Sequence, residues 1–332
     1  MRHYLLPETG NFYKVNMHCH TNLSDGDMTP EEVKAHYKAN GYSAVAFTDH
    51  DLFIPHNDLS DDEFIALGGY EMEVDEKYRP WKATRTCHMC FVALDPEMDT
   101  PVCWNEEYVF PKCKHNIPLV KTNPSEPPYV RSYTPECVSD MMKKGRESGF
   151  FVTYNHPVWS LESYPEYHAY SGMHALEIMN YGCIVAGYPE YNDHAYDDLL
   201  RRGQRIYAVA GDDNHGNYDV CGTYTVLKAP RLGYKELADA LVNGHLYASE
   251  GPEIKELYVE DGAVFIKTSD AASIAFSCDI RHASWRAAKP GESLDSASFR
   301  LPDDIAYFRL TVTDASGKKA YTNAYFLDEI IK

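Results

Sequence analysis

Two histidines spaced two residues apart, His18 and His20, follow a short strand-like run and precede the turn Ser24-Asp25-Gly26. Because side chains on a strand alternate between its two faces, both imidazoles would point to the same side. Imidazole nitrogens and carboxylate oxygens together are ligands for Zn²⁺, Mn²⁺ and Fe²⁺, whereas Ca²⁺ takes oxygen ligands alone. The spacing therefore predicts one part of a metal site, which later segments would have to complete.

Further histidines and acids stand at the ends of later predicted strands. The whole set comprises six histidines and three acids: His18, His20, Asp25, His50, Glu71, His88, His156, Asp213 and His215. One tetrahedral or octahedral ion needs fewer ligands than this set offers, whereas two or three ions that share a bridging carboxylate would use it fully. Ions about 3.5–4 Å apart can also hold a bridging hydroxide and clamp the oxygens of a phosphoryl group in line.

The elements that would position these residues alternate between strands and helices. Thr29 and Glu32 form a predicted capping box with a proline in the first turn, so we expect a helix that ends at Asn40-Gly41. The apolar run 43–48 then predicts a buried strand that carries His50 at its carboxyl end. Strand, helix and strand in this order predict a parallel unit.

About seven strands follow this alternation up to residue 250, and nearly every one ends in a candidate ligand. This is the pattern of a (β/α) barrel, in which the carboxyl ends of the strands build the active site. The irregular stretch 95–133 lengthens one connection, so we expect a distorted barrel and a functional or disordered loop. Beyond residue 250, short alternating strands predict a small antiparallel β-sandwich. The predicted fold is α/β, with domains at 1–250 and 251–332.

Composition narrows the range of functions. The chain has 332 residues and a formal net charge of −19, which disfavours long nucleic acids as partners. Nine cysteines are an odd number in a long chain and do not fit a disulfide scaffold. No stretch has the apolar length of a signal peptide or a membrane span. We therefore expect a cytoplasmic protein that does not contact membranes, and the oligomeric state stays open.

Taken in order, the candidate segments resemble the motifs of the PHP (polymerase and histidinol phosphatase) superfamily of metal-dependent phosphoesterases. The segments that carry the resemblance are His18-Cys19-His20, Ser24-Asp25-Gly26, Thr48-Asp49-His50-Asp51, Gly69-Tyr70-Glu71, His88, Asn155-His156-Pro157 and Gly211-Asp212-Asp213-Asn214-His215. They span roughly residues 12–250, and the segments 244–252 and 321–323 also look like those of PHP metallohydrolases with an appended β domain. The resemblance implies a distorted (β/α)₇ TIM-like barrel with up to three metal ions.

Carried over position by position, the resemblance implies three ligand groups: His18, His20, Glu71 and Asp213 for a first ion; Glu71, His88 and His156 for a second; and Asp25, His50 and His215 for a third. It also implies that Glu71, Asp213 and His215 are catalytic and that the cofactors are two or three ions of Zn, Mn or Fe. Some members carry histidine where this chain has Asp25, so a two-metal site with Asp25 as an outer ligand stays open. Asp49 and Asp212 neighbour ligands and are expected to orient imidazoles.

The function to expect is metal-dependent hydrolysis of a small phosphate ester or nucleotide by a metal-activated water. A carboxyl ester or a carbamate is an alternative substrate, and the 5′ end of an oligonucleotide is another. We expect Arg79, Arg85, His168 or a lysine of the 95–133 stretch to bind the substrate.

Two alternatives concern other kinds of metal site. Cys87-x-x-Cys90 with Cys103 and Cys113 would suit a structural zinc site, but Cys87 and Cys90 would face opposite sides of a strand, which favours plain buried cysteines. The second alternative is a non-catalytic, metal-stabilised module whose β-sandwich binds a partner. The large ligand set argues against this module, because structural metal sites are closed and smaller.

Overall fold

The computed structural model describes residues 2–77, 79–282 and 284–330 and has a mixed α/β fold. Its α-helices are α1 (Pro30–Ala39), α2 (Pro135–Glu147), α3 (Tyr164–Tyr167), α4 (Tyr181–Val185), α5 (Asp193–Arg201), α6 (Tyr234–Val242) and α7 (Leu327–Ile330). The 3₁₀ segments are Asn57–Leu59, Trp81–Ala83 and Pro111–Leu119. Its strands are β1 (His3–Tyr4), β2 (Asn11–Asn16), β3 (Ala44–Phe47), β4 (Ile65–Asp75), β5 (Thr86–Ala93), β6 (Phe150–Asn155), β7 (Ala175–Asn180), β8 (Tyr207–Gly211), β9 (Tyr224–Ala229), β10 (Leu246–Ser249), β11 (Ile254–Glu260), β12 (Ala263–Ala271), β13 (Ser273–Cys278), β14 (Ser284–Ala287), β15 (Leu294–Arg300), β16 (Tyr307–Thr313), β17 (Lys319–Thr322) and β18 (Tyr325–Phe326).

One large sheet carries the strands that end at the candidate ligands. Within it, β2, β3 and β4 run parallel, β4–β5 and β5–β6 are antiparallel pairs, and β6, β7 and β8 are parallel again. Strand β9 pairs antiparallel with β2 on the other side. The parallel unit predicted around α1 is therefore confirmed.

The distorted (β/α)₇ TIM-like barrel that we expected is not confirmed, and the described residues show no closed barrel. Strand β4 leads to β5 without an α-helix between them, so the two strands run antiparallel and the β/α alternation breaks there. Between β2 and β8 the link is short: an isolated bridge joins Cys19 to Asn214, and Asp213 N–H donates to the His18 carbonyl at 2.9 Å. The strands therefore form a ring that is not fully hydrogen-bonded between β2 and β8.

Helix α1 shows how local sequence signals lead to the site. The Thr29 hydroxyl accepts from Glu32 N–H at 3.2 Å, and the Glu32 carboxylate accepts from Thr29 N–H at 2.8 Å, as the capping box predicts. The helix buries Val33 and Tyr37 against the sheet. The Tyr37 hydroxyl donates to Asp212 at 2.8 Å, so the buried face of α1 reaches the loop that follows β8.

The stretch 95–133 is held against the ends of β2 and β3. The Trp104 indole N–H donates to the Asp51 carbonyl at 2.8 Å, and the Asn116 amide donates to the Leu23 carbonyl at 2.8 Å. Arg131 is buried and forms an ion pair with Asp51. These contacts make the long connection a wall beside the candidate ligands, in line with a functional loop.

The strands beyond residue 250 form two antiparallel layers. Strands β1, β11, β12 and β15 make a four-stranded sheet, while β14, β13, β16 and β17 extend the large sheet through β10. Leu257 and Ile266 of the first layer share one apolar cluster with Phe276, Phe308 and Val312 of the second. Because β17 pairs with β10, the large sheet continues across residue 250, and the division into 1–250 and 251–332 stays a prediction.

The cysteines pack as buried residues. Cys87 and Cys90 have no exposed surface, and all nine cysteines are free thiols. Within the described ranges, no group of neighbouring metal-binding side chains includes a cysteine, which disfavours the structural zinc site. In the same ranges, none of the helices combines the length and the apolar character needed to cross a bilayer.

Candidate metal centre

The nine predicted ligands lie together where the ring of strands opens. His18 and His20 directly follow β2, His50 follows β3, and Glu71 and His88 lie within β4 and β5. The remaining four ligands lie on loops. Asp25 precedes α1, His156 follows β6, and Asp213 and His215 follow β8. Most are buried, but the side chains of Asp25 and His215 are 18% and 36% exposed, so the centre opens to solvent on their side.

Glu71 stands at the middle of the set. Its Oε2 lies 3.2 Å from His18 Nε2, 3.2 Å from His20 Nε2 and 3.4 Å from His50 Nε2. Among the described residues, this buried oxygen has no hydrogen-bond partner of good geometry. Three imidazole nitrogens around one buried carboxylate oxygen that accepts no hydrogen bond of good geometry are the arrangement expected of ligands around shared cations.

The other oxygen of Glu71 faces a second pair of histidines. Oε1 lies 3.1 Å from His88 Nδ1 and 3.2 Å from His156 Nε2. One carboxylate thus faces five imidazoles, three with one oxygen and two with the other. This division fits a carboxylate that bridges two ions, as the resemblance implied for Glu71.

Four groups of side chains bring their ligand atoms within 4.8 Å of one another: His18, His20, Glu71 and Asp213; His50, Glu71 and His88; His20, Asp25, His50 and His215; and His18, His156 and Glu177. The first group has the composition expected for the first ion. The third group contains the three residues expected for the third ion, together with His20. Glu177 was not predicted.

Asp213 and Asp25 also contact histidines of this cluster. Asp213 Oδ1 lies 3.0 Å from His20 Nε2. Asp25 Oδ2 lies 3.3 Å from His215 Nε2 and 3.8 Å from His50 Nε2. Burial opposes ionisation of Asp25, but the hydrogen bond with His215 and the charge of His50 outweigh it and hold the pKa of Asp25 well below its usual range.

Three of the seven described residues other than glycine that have positive φ lie at this centre. Asp51, His156 and Asp213 adopt positive φ angles of 53°, 27° and 51°, a region that residues other than glycine rarely occupy. Two of the three are predicted ligands and the other follows His50. Such conformations persist where the surroundings hold them, and they are frequent at functional sites.

Glu177 is the site residue that the sequence analysis missed. Its Oε1 lies 3.0 Å from His18 Nδ1, and its Oε2 accepts from His156 N–H at 3.3 Å and from the Asn180 amide at 2.9 Å. The signal was present, because Glu177 is an acid within a run, 175–180, that is otherwise largely apolar and fully buried. Buried acids require partners, so this residue should have been assigned to the site.

Asp49 and Asp212 contact the loops that carry ligands rather than the imidazoles. Asp49 accepts from Thr21 N–H at 2.7 Å and from the Ser24 hydroxyl at 2.6 Å, which fixes the turn before Asp25. Asp212 accepts from Tyr37 and from the backbone N–H groups of residues 221–223. Burial raises the pKa of Asp212 to about 6, although these hydrogen bonds oppose the rise.

The predicted substrate-binding residues lie away from the nine ligands. Arg79 is exposed, 3.7 Å from Glu76. His168 packs on Tyr164, with 4.5 Å between the ring centroids. Arg85 pairs with Glu76 at 2.7 Å and also with Glu166. Within the described residues none of the three is paired with a predicted ligand, so their role in binding substrate stays a prediction.

Arg85 lines a cavity of about 620 Å³. Asp75, Tyr133 and Tyr170 also line it. Asp75 lies on the same strand and the same face as Glu71, four residues further on, which corresponds to about 13 Å. The cavity is therefore a neighbour of the metal centre, at the outer end of β4.

Two aromatic rings flank the histidines. Phe110, from the 95–133 stretch, packs on His50 with ring centroids 4.8 Å apart. Trp159 packs on His88 at 5.3 Å and on His156 at 5.2 Å. Both aromatic side chains are partly exposed, so they border the opening of the centre.

Comparisons with known proteins find distant similarities only. No curated protein sequence matches the chain significantly. Solved structures that resemble it include a two-domain protein from Bacteroides vulgatus containing a predicted PHP-like metal-dependent phosphoesterase, at 14% identity and a TM-score of 0.46, covering 97% of this chain and 89% of that one. An amidohydrolase from Chromobacterium violaceum has 18% identity and a TM-score of 0.38, covering 61% and 88%. A lesion-specific endonuclease from Pyrococcus furiosus has 15% identity and a TM-score of 0.40, covering 70% and 56%.

The family model of the PHP domain matches residues 16–122. This match includes six of the nine ligands, from His18 to His88, whereas His156, Asp213 and His215 lie beyond it and join the site through the geometry described above. Residues 16–122 are therefore similar to the PHP domain, in agreement with the resemblance found in the sequence.

Proposed function

We propose that this protein is a metal-dependent phosphoesterase that hydrolyses a small phosphate ester or nucleotide. The observation that supports this most directly is the position of Glu71, whose two carboxylate oxygens face five imidazoles in a buried cluster. Buried imidazoles and carboxylates at this density require counter-charges. Divalent cations would supply them and make the cluster catalytic.

The donor set suits Zn, Mn or Fe, because it combines imidazole nitrogens with carboxylate oxygens. His18, His20, Glu71 and Asp213 would hold a first ion. Glu71, with His88 and His156 facing its Oε1, would hold a second. Asp25, His50 and His215 would hold a third. When bound, such ions supply Lewis acidity and activate a water molecule. A two-metal form, with Asp25 as an outer ligand, remains the alternative for the open side of the centre.

The chain's own residues would orient the ligands and shape the substrate site. Glu177 fixes the ring of His18 through Nδ1, so that Nε2 faces Glu71. Phe110 and Trp159 narrow the opening on two sides. The cavity beside Arg85 would take the part of the substrate that remains after the phosphoryl group is bound.

A small substrate fits these surroundings better than a long nucleic acid. The wall formed by the 95–133 stretch lies against the centre, and the net charge of −19 repels polyanions. We further infer a distorted, incompletely closed barrel as the first domain, and a cytoplasmic location.

An alternative is a metallohydrolase for a carboxyl ester or a carbamate. Arg131, the cation buried beside His50, is already paired with Asp51 and so offers no free charge for a phosphate. A metal centre without an added arginine would also suit an uncharged ester. Release of a nucleotide from the 5′ end of an oligonucleotide is a further possibility for a centre that opens on one side.

The test is a substrate panel assayed with the full chain loaded with Mn²⁺, Zn²⁺ or Fe²⁺. Phosphate monoesters, phosphodiesters, carboxyl esters, carbamates and 5′-phosphorylated oligonucleotides are compared by kcat/KM. We expect the highest value for a small phosphate ester, and Glu71→Gln should reduce it to background. Preferred turnover of carboxyl esters would establish the alternative, and stabilisation by metal without turnover of any ester would leave only the non-catalytic module.

A further inference from the structure

A second polar cavity lies far from the metal centre, where the N-terminal strand meets β9, β11 and β12. It has a volume of about 320 Å³ and is lined by four cationic side chains and two acidic ones: Arg2, Lys228, Lys255, Lys267, Glu8 and Glu256. The local excess of two positive charges contrasts with the net charge of −19 for the whole chain. Such a local reversal of sign attracts anions.

The acids near this cavity contact Arg2, Lys267 or Tyr4. Glu256 contacts Lys267 at 2.5 Å and Arg2 at 3.6 Å, and Glu260 contacts Arg2 at 3.4 Å. Glu8 accepts from the Tyr4 hydroxyl at 3.0 Å. Lys228 and Lys255 therefore have no ion-pair partner among residues 2–77, 79–282 and 284–330.

Lys228 is the most unusual of these cations. It is only 6% exposed, and its ammonium group lies 4.5 Å from the centroid of the Phe12 ring. Burial lowers the pKa of Lys228. The cation–π contact and the charge of Glu256 offset part of the cost of burying this side chain, but no carboxylate of the described residues lies within ion-pair distance of its ammonium group.

We propose that this cavity binds a small, doubly charged oxyanion, with the chemistry of a phosphate group, against Lys228, Lys255 and Arg2. The volume is sufficient for one phosphate group with a small substituent, given about 30 Å³ for a water molecule. The anion would supply the partner that Lys228 lacks.

This site is distinct from the metal centre. Lys228 pairs with Phe12 at the start of β2, whereas His18 follows the end of that strand, six residues later or about 20 Å away. The lining residues come from both predicted domains, so a bound anion would join them. The inference does not depend on the proposed hydrolytic function.

The test is calorimetric titration of the full, metal-loaded chain with inorganic phosphate and, separately, with glycerol phosphate, at constant ionic strength set with chloride. We expect a binding event that persists in Glu71→Gln, which alters the metal centre, and weakens about tenfold or more in Lys228→Met. Tighter binding of glycerol phosphate would identify a phosphorylated metabolite as the ligand, and tighter binding of inorganic phosphate would identify the free ion.

Thermal unfolding gives an independent measurement. Without phosphate, Lys228→Met should melt at a higher temperature than the wild type, because the substitution removes a buried charge that has no partner. Phosphate should raise the melting temperature of the wild type and of Lys289→Met, a control at an exposed lysine, by more than it raises that of Lys228→Met. Phosphate binding that is equal in wild type and Lys228→Met, or that is lost in Glu71→Gln, would overturn the proposal.

Discussion

Glu177 Oε1 lies 3.0 Å from His18 Nδ1, while Nε2 of the same ring faces Glu71 Oε2 at 3.2 Å. The imidazole of His18 thus lies between two carboxylates, with Glu177 facing Nδ1 and Glu71 facing Nε2. This contact fixes the tautomer that leaves Nε2 free to bind a cation, because an ionised Glu177 can only accept the proton on Nδ1.

The first prediction concerns Glu177. Glu177→Ala should lower metal affinity by about 10–100-fold and reduce kcat in proportion, because His18 loses its orienting partner. The measurement is metal titration of the chelator-treated protein, followed by turnover at saturating metal. Glu177→Asp should recover part of the affinity. Equal metal affinities for the wild type and Glu177→Ala would show that the contact is only structural.

The second prediction concerns the bridging carboxylate. Glu71→Gln should abolish turnover and reduce the number of bound ions, because an amide cannot bridge two cations as a carboxylate does. Circular dichroism should show an unchanged fold. Glu147→Gln, at an exposed position of α2, is the matched control and should keep wild-type activity. Full activity in Glu71→Gln would exclude the proposed mechanism.

The third prediction separates a three-metal centre from a two-metal centre. Asp25→Ala and His215→Ala should each leave one ion fewer per chain, measured by mass spectrometry of the metals, because both residues belong only to the open group with His20 and His50. His194→Ala, at an exposed histidine, is the control. An unchanged metal content in both variants would favour two ions with Asp25 as an outer ligand.

The fourth prediction concerns the ion pair that holds the 95–133 stretch. Arg131→Met should destabilise the protein by about 3–5 kcal/mol, because Asp51 would remain buried without its partner. The double variant Arg131→Met with Asp51→Asn should regain part of this loss, since asparagine tolerates the positive φ of residue 51. Urea denaturation measures both.

A surface arginine serves as the comparison for this ion pair. Arg201→Met removes an exposed side chain that contacts Asp197 and Asp198 on α5, and we expect a loss of at most about 1 kcal/mol. Similar losses for Arg131→Met and Arg201→Met would contradict the structural importance of the buried pair.

The ligand set could be predicted from the sequence because its signals are local. His18 and His20 share a strand face, and Thr29 and Glu32 mark the start of α1 within one turn. Helix α2 likewise begins after Thr134, whose hydroxyl accepts from Cys137 N–H at 3.2 Å, the pattern of an N-cap. Each of these signals needs only a few neighbouring residues, so no knowledge of the tertiary structure was required.

The features that could not be predicted depend on distant partners. The antiparallel β4–β5 pair follows from a connection, 76–85, whose sequence carries no clear hairpin signal. The contact between Glu177 and His18 joins residues 159 positions apart. In the same way, Asp49 contacts a turn rather than an imidazole, because its partners lie on another strand end. Local patterns identify the residue types, whereas topology decides which of them meet.

The fifth prediction concerns pH and a buried acid outside the metal centre. Glu162 accepts hydrogen bonds from the hydroxyls of Tyr133, Tyr154 and Tyr170. Burial raises the pKa of Glu162 to about 7, although these hydrogen bonds oppose the rise. The folded state therefore binds the proton more tightly than the unfolded state does. The resulting stabilisation is complete below pH 4.5 and disappears as the pH rises through about 7.

The change in the pKa of Glu162 from 4.5 to about 7 corresponds to about 3 kcal/mol. Because Glu162→Gln cannot titrate, the stability of the wild type relative to this variant should fall by about 2–3 kcal/mol between pH 5 and pH 8. Urea denaturation at several pH values measures the difference, and Glu147→Gln controls for the loss of one carboxylate. A difference that grows with pH would mean that the three tyrosine hydroxyls stabilise the ionised carboxylate by more than its burial costs.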